Sequence, residues 1–276
     1  MPTPELRGTL RVGGIVCVTL ALLGAFGAVS LVYPPARAGV VRTWHRIVCR
    51  LAGIRVRVHG APLAPRGSLL VANHVSYMDV LAIGSLGDIS FVAKGEVARW
   101  PVIGNLARLV GTIFATRERG HACRQIGELA ARLDERRTVA FFPEGTTTRG
   151  RTVLPFKSAL FEAAKGRPDL LVQPMAIAYA WDSAGLALPV CKRPIYPWTG
   201  QATLLPHLWA LLKHRGGAAD IVIGQPVHAA RFESRKALAA YCHAECIRAL
   251  AHARRRPPTI ADQESWLPLP VYRTLA

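Results

Sequence analysis

Hydrophobic and polar positions follow three successive patterns along the chain. Residues 12–36 carry no charge and are filled by Ile15, Val16, Val18, Leu20, Leu22, Leu23, Phe26, Val29, Leu31 and Val32. That run meets the roughly 20 apolar residues a helix needs to cross hydrocarbon. A secretory signal has only about 7 to 15. The preferred reading is therefore a retained membrane anchor rather than a signal peptide cleaved near Ala36-Arg37-Ala38. Gly13, Gly14, Gly24 and Gly27 leave open whether it spans the bilayer or bends within one leaflet. Residues 37–52 then set Val40, Val41, Trp44, Ile47, Val48 and Leu51 on one helical stripe and Arg37, Arg42, Arg46 and Arg50 on the other. This pattern suits an interfacial helix and the first core helix of a soluble domain equally.

Past Gly53 the period changes to two, with Ile54, Val56 and Val58 alternating with Arg55 and Arg57, which predicts a half-buried strand. Strand patterns recur at 69–72, 89–93, 112–116, 138–142, 171–179 and 220–224. Helical patterns fall between or after them at 77–85, 102–110, 123–136, 156–165, 204–214 and 234–254. Alternation of this kind predicts an α/β fold: a single domain with a mixed, largely parallel sheet covered by helices. The chain divides into an N-terminal anchor and interfacial helix (1–52), a catalytic-sized domain (53–230) and a C-terminal helix and tail (231–276).

Composition narrows the partners. With 51% hydrophobic residues the chain buries a core or touches lipid, and a disordered polymer is excluded. Lys and Arg total 35 against 17 Asp and Glu, a net charge of +18, which favours an anionic membrane or a nucleic acid. Arg supplies 29 of the 35, an excess that beside so much Ala fits genomic base composition as well as it fits Arg-specific recognition. No basic reading helix or stacking-aromatic motif supports nucleic acid, so the membrane is the expected partner. The six cysteines, at 17, 49, 123, 191, 242 and 246, have no framework spacing and suit a reducing compartment. Cys242 and Cys246 lack the second ligand pair a zinc site needs.

In sheets of this type, working groups collect on loops beyond the carboxyl ends of the strands. The first such loop reads Asn73-His74-Val75-Ser76-Tyr77-Met78-Asp79. On one continuous helix His74 and Asp79 would point about 140° apart. Ser76 and Asp79 have capping-box spacing, which starts the helix at Tyr77 and leaves His74 in the loop before it. The chain can then fold back until the Asp79 carboxylate meets one imidazole nitrogen and the other faces a substrate. Spacing alone equally allows Asp79 to cap the helix and do nothing more. A second loop, Gly111-Thr112-Ile113-Phe114-Ala115-Thr116-Arg117, ends a strand in an arginine able to clamp a phosphate. A third, Phe142-Pro143-Glu144-Gly145-Thr146-Thr147-Thr148, offers either a glycine turn with hydroxyls and amides for substrate oxygens or simply a tight turn.

Together, in this order, the loops resemble the glycerolipid acyltransferase superfamily. The His-x4-Asp block matches at His74 and Asp79, the Gly-x-x-Phe-x-x-Arg block at Gly111, Phe114 and Arg117, and the Phe-Pro-Glu-Gly-Thr block at Phe142 to Thr146. A looser fourth block matches at Val172 to Ile177. The resemblance implies acyl transfer from acyl-CoA or acyl carrier protein to the free hydroxyl of a lysophospholipid, 1-acyl-glycerol-3-phosphate first. It implies no covalent enzyme intermediate, no cofactor and no metal. His74 would remove the hydroxyl proton, Asp79 would orient it, Arg117 would bind the acceptor phosphate, and Glu144, Gly145 and Thr146 would shape that site. The cytoplasmic (inner) membrane is the expected location. The denser arginines after the apolar run put the body on the cytoplasmic side.

One position departs from the pattern. The family commonly carries arginine directly after Glu-Gly-Thr, where this chain has Thr147. Either Arg149 or Arg151 substitutes from further along, or the acceptor lacks a phosphate there. Lyso-ornithine lipid is such an acceptor for some relatives, and segments 153–158 and 205–209 are also similar to that branch. Arg117 keeps lysophosphatidate ahead at this point. A nonenzymatic basic membrane-binding protein and a hydrolase using the same His–Asp pair are the competing classes.

Overall fold

The computed structural model describes residues 2–115, 121–180, 195–200 and 202–255. Its elements run α1 (Pro4–Val32), α2 (Arg37–Leu51), β1 (Ile54–Gly60), β2 (Leu69–Ala72), α3 (Met78–Gly84), β3 (Ile89–Lys94), α4 (Ile103–Leu109), β4 (Ile113–Ala115), α5 (His121–Asp134), β5 (Thr138–Phe141), β6 (Leu171–Ala178), α6 (Leu204–Lys213), β7 (Gly217–Ile223), β8 (Val227–His228) and α7 (Arg235–Arg255).

The sheet order is β1-β7-β6-β2-β5-β3-β4, with β8 also on β6. Strands β2 to β6 are mutually parallel, whereas β7 and β8 run antiparallel to β6, and β1 follows β7. The mixed, largely parallel α/β sheet expected from the patterning is thus present. Its central strands are apolar at nearly every position because both faces are covered. Leu70, Ala72, Met175 and Ile177 pack toward α3 and α6, and Leu69, Val71, Val139 and Val172 toward α5 and α7. Helix α7 belongs to this core: Leu238, Cys242, Cys246 and Leu250 are buried. Burial raises both of those thiols, and Cys246 donates to the carbonyl of Met175.

The helix expected over 156–165 is a 3-10 turn, Ala159–Ala164. Residues 156–158 are non-helical and lie against the third loop, with the Lys157 N–H donating to Pro143 O, and the remainder closes with i to i−3 bonds such as Lys165 N to Glu162 O.

Helices α1 and α2 form an antiparallel hairpin joined at Tyr33–Ala36, with Trp44 Nε1 donating to Thr19 Oγ1 at 2.9 Å. The N-terminal turns of α1 are fixed to the domain. Arg7 donates to Lys213 O, and Arg11 to Leu212 O and His214 O, so two cations cap the negative end of α6. The other arm does likewise, as Arg46 Nε donates to Ser85 O at 3.0 Å, at the C-terminus of α3. Val48 and Cys49 of α2 are buried, so α2 is a core helix on one side and basic on the other. Both ends of the hairpin are therefore tied to one body. Beyond the Thr19–Trp44 contact, α1 continues 13 residues to Val32, about 20 Å, with Leu20, Leu31 and Val32 exposed.

Candidate active site

Parallel β2, β5 and β6 lie side by side, so their carboxyl ends deliver Asn73-His74, Phe142–Glu144 and Tyr179 to one edge. Asn73 fixes the first loop. Its side-chain amide donates to Ile177 O and accepts from Ile177 N, standing in for a backbone partner where β2 leaves the sheet. The next residues turn into α3, with Ser76 Oγ accepting from Met78 N and Asp79 N donating to Ser76 O. Asp79, wholly buried in the first turn of α3, faces back across this turn.

The Asp79 carboxylate is saturated. Oδ2 accepts from His74 Nδ1 at 2.8 Å, Val75 N at 2.6 Å and Ser76 N at 2.9 Å, and Oδ1 accepts from Tyr179 OH at 2.8 Å. The Ser76 bond is the reciprocal half of a capping box, so Asp79 caps the helix and holds His74 as well. Burial first, and Asp79 second, hold the Tyr179 phenol well above its ordinary range, so it serves as a donor.

The third loop fixes the rest of His74. Glu144 Oε1 accepts from His74 N at 2.7 Å, Thr148 N donates to His74 O at 2.8 Å, and the imidazole stacks on Phe142 with ring centroids 4.0 Å apart. The second oxygen of Glu144 accepts from Leu154 N at 2.9 Å. Burial raises this carboxyl above its usual range, against the two backbone N–H bonds. Backbone, ring face and Nδ1 of His74 are all held, while Nε2 has no hydrogen-bond partner among the described residues. The side chain is 20% exposed. With Nδ1–H donated to Asp79, Nε2 carries the ring's lone pair, the arrangement that proton abstraction requires.

The expected acceptor-site residues divide. Glu144 is buried, and its carboxylate is taken up by the backbone N–H groups of His74 and Leu154. Gly145, Thr146 and Arg149 are exposed on the outer side of the loop. Gly145 has a left-handed φ of 69°, and a Cβ there would lie 2.7 Å from Lys157 Nζ, so an ammonium lies against this turn. Arg117 lies outside the described residues. Thr147, at the departing position, donates its hydroxyl to Trp198 O. Trp198 N in turn donates to Val75 O, so segment 195–200 straps the first loop to the third. Tyr77, Trp100 and Trp198 form an aromatic cluster beside it, and Tyr77 OH bonds His207 Nδ1 at 3.0 Å. Tyr179 and Trp198 carry no motif in the sequence, and Asn73 and Thr148 stand in the first and third loops without a role of their own there. The only signal was Tyr179 ending a predicted strand next to the His–Asp loop's strand.

Comparisons with known proteins agree with this geometry. A family model described as Acyltransferase matches residues 55–178. The lyso-ornithine lipid O-acyltransferase of Brucella abortus is 39% identical over 84% of this chain and 91% of its own. The 1-acyl-sn-glycerol-3-phosphate acyltransferase of Neisseria gonorrhoeae is 33% identical over 64% of this chain and 67% of its own. The fold matches the crystal structure of the 1-acyl-sn-glycerophosphate acyltransferase PlsC of Thermotoga maritima with a TM-score of 0.67 at 21% identity, over 93% of this chain and all of that one. With relatives of this identity aligned along most of their length, the chain belongs to the glycerolipid acyltransferase superfamily and is an acyltransferase.

Proposed function

We propose that the enzyme transfers a fatty acyl chain from a thioester of coenzyme A or acyl carrier protein to the free hydroxyl of lyso-ornithine lipid. The observation that carries the reaction is the immobilised His74, whose Nε2 is left for substrate. Nε2 takes the acceptor hydroxyl proton as the oxygen attacks the thioester carbonyl. The resulting imidazolium stays hydrogen-bonded to Asp79. When the tetrahedral intermediate collapses, the C–S bond breaks and the same proton passes to the departing thiolate. No serine or cysteine nucleophile is needed.

Thr147 supports the choice of acceptor. Where an arginine would present charge to a phosphate, the Thr147 hydroxyl holds the Trp198 strap. An amino-acid headgroup carries a carboxylate and no phosphate, and the Lys157 ammonium beside Gly145 can pair with that carboxylate as it could with a phosphate. The relative acting on lyso-ornithine lipid also has the higher identity and coverage of the two reported. These observations reverse the order expected from Arg117.

The anchor works from one side. Because α1 and α2 both end on the catalytic body, the hairpin enters from one side and turns back at Tyr33–Ala36, its roughly 20 Å beyond Trp44 falling short of the full ~30 Å of hydrocarbon, with Arg37 and Arg42 on the α2 arm reaching back toward the headgroups. Thioester donors are cytoplasmic, which sets the body on the cytoplasmic face. The test incubates membranes holding the enzyme or its His74→Ala variant with labelled acyl donor and either lyso-ornithine lipid or lysophosphatidate. Transfer to lyso-ornithine lipid that disappears in the variant is expected. Transfer to lysophosphatidate alone would replace the acceptor and keep the mechanism, whereas an undiminished variant would remove His74 from its role.

A further inference from the structure

An open cleft of about 820 Å³ lies between the C-terminal half of α2 and the edge strand β1, at the far end of the sheet from β4. Arg46, Arg50, Arg55 and Arg215 line it and no carboxylate does. The side chains of Arg50, Arg55 and Arg215 make no hydrogen bond or ion pair among the described residues. Arg46 and Arg50 are four apart on α2, so like charges are stacked one turn from each other, an arrangement that an anion would relieve. Val56, Val58 and Leu86 stand among the apolar groups of the lining, beside Ser85, and Val58 is 40% exposed.

Position selects the ligand. Trp44, an indole that bonds α1, stands on the hairpin between Arg42 and Arg46 at the base of the tip, where interfacial tryptophans collect. Arg46 and Arg50 follow it by two and six residues, roughly 3 and 9 Å along the helix axis. The headgroup layer is about 5 to 8 Å deep, so the two guanidinium groups bracket it.

We propose that this cleft binds an anionic phospholipid of the bilayer, with its phosphate among Arg46, Arg50 and Arg215 and the first methylenes of its chains on Val56, Val58 and Leu86. A soluble anion would have no use for the apolar lining. The placement rests on the one-leaflet reading of the hairpin, but the two are separable by experiment.

The test measures partition of the full-length protein onto vesicles of phosphatidylcholine alone and of phosphatidylcholine containing phosphatidylglycerol. Wild type should bind both, and more tightly when phosphatidylglycerol is present. Arg50→Gln with Arg215→Gln should lose about fivefold of that increment per arginine while keeping its hold on phosphatidylcholine. Arg231→Gln with Arg255→Gln, which removes the same charge from exposed positions away from the cleft, should keep the increment. Val58→Glu, which sets a carboxylate in the cleft without removing an arginine, should reproduce the loss and so guards against misfolding of the double variant. Equal losses in the two arginine pairs would reduce the effect to a diffuse field and overturn the site. Displacement from phosphatidylglycerol vesicles by inorganic phosphate at matched ionic strength would overturn the lipid. Wild type that ignores phosphatidylcholine but binds phosphatidylglycerol would retire the hairpin reading and leave the cleft standing.

Discussion

Tyr179 donates its hydroxyl to Asp79 Oδ1 at 2.8 Å across 100 residues of sequence. This bond ties the end of β6 to the first turn of α3 and fills the last free oxygen of a wholly buried carboxylate. Tyr179→Phe keeps the ring and removes only the donor. A hydrogen bond to a charged group is worth about 1.5 to 3 kcal/mol. If Asp79 acts by holding and charge-stabilising the His74 imidazolium, kcat should fall roughly 10- to 100-fold with KM nearly unchanged. A KM effect alone would mean that the tyrosine serves substrate binding.

How far that constellation was legible follows from the range of the forces involved. The His74–Asp79 pair could be read because its turn is local: five residues and a capping box determine it. Strand 69–72 could be read for a similar reason, as four apolar residues between turn signals allow little else. Tyr179, Asn73 and Trp198 act through partners brought close only by the strand order, and no spacing encodes that β6 lies beside β2. The 156–165 pattern yields only a 3-10 turn, because residues 156–158 run non-helically against the third loop, where the Lys157 N–H donates to Pro143 O, a contact that only the strand order brings about. The stripe on α2 fitted both readings, because the helix is buried at Val48 and Cys49 and basic at Arg46 and Arg50.

Thr147→Arg tests the acceptor. The substitution removes the hydroxyl that holds Trp198 and introduces a guanidinium into the third loop. A charge-assisted pair with a phosphate contributes on the order of 2 kcal/mol. The ratio of kcat/KM for lysophosphatidate over lyso-ornithine lipid should therefore rise by about tenfold or more. An unchanged ratio would separate Thr147 from acceptor choice.

Glu144→Gln probes the buckle under His74. The native carboxylate accepts two backbone N–H groups, His74 N and Leu154 N. An amide offers one acceptor and one donor, so one N–H is left facing another donor, at a cost of about 1 to 3 kcal/mol. Both the melting temperature and kcat should drop. The native group also leaves a pH signature: burial raises the Glu144 pKa in the folded state. Its contribution to stability is therefore full below the unfolded value of 4.5 and is lost as pH rises through the raised folded value. The variant should lack that component.

His45 supplies the opposite dependence. It is buried on α2 against Gly84 of α3, where an added Cβ would fall 2.2 Å from its Nδ1. Burial lowers its pKa to about 4 from 6.5. The folded protein thus binds fewer protons than the unfolded chain between these values. The stability this gives is full above pH 6.5 and falls as pH drops toward 4, by about 3 kcal/mol in all. Since α2 caps α3 through Arg46 and α3 carries Asp79, acid should loosen the anchor–catalytic contact before it unfolds the sheet. Denaturant midpoints of the wild type and of His45→Gln, measured from pH 7 to pH 4, isolate the effect. The difference between them should shift by most of that 3 kcal/mol in favour of the variant as the pH falls. Parallel curves would show that protonation of another group drives the acid response.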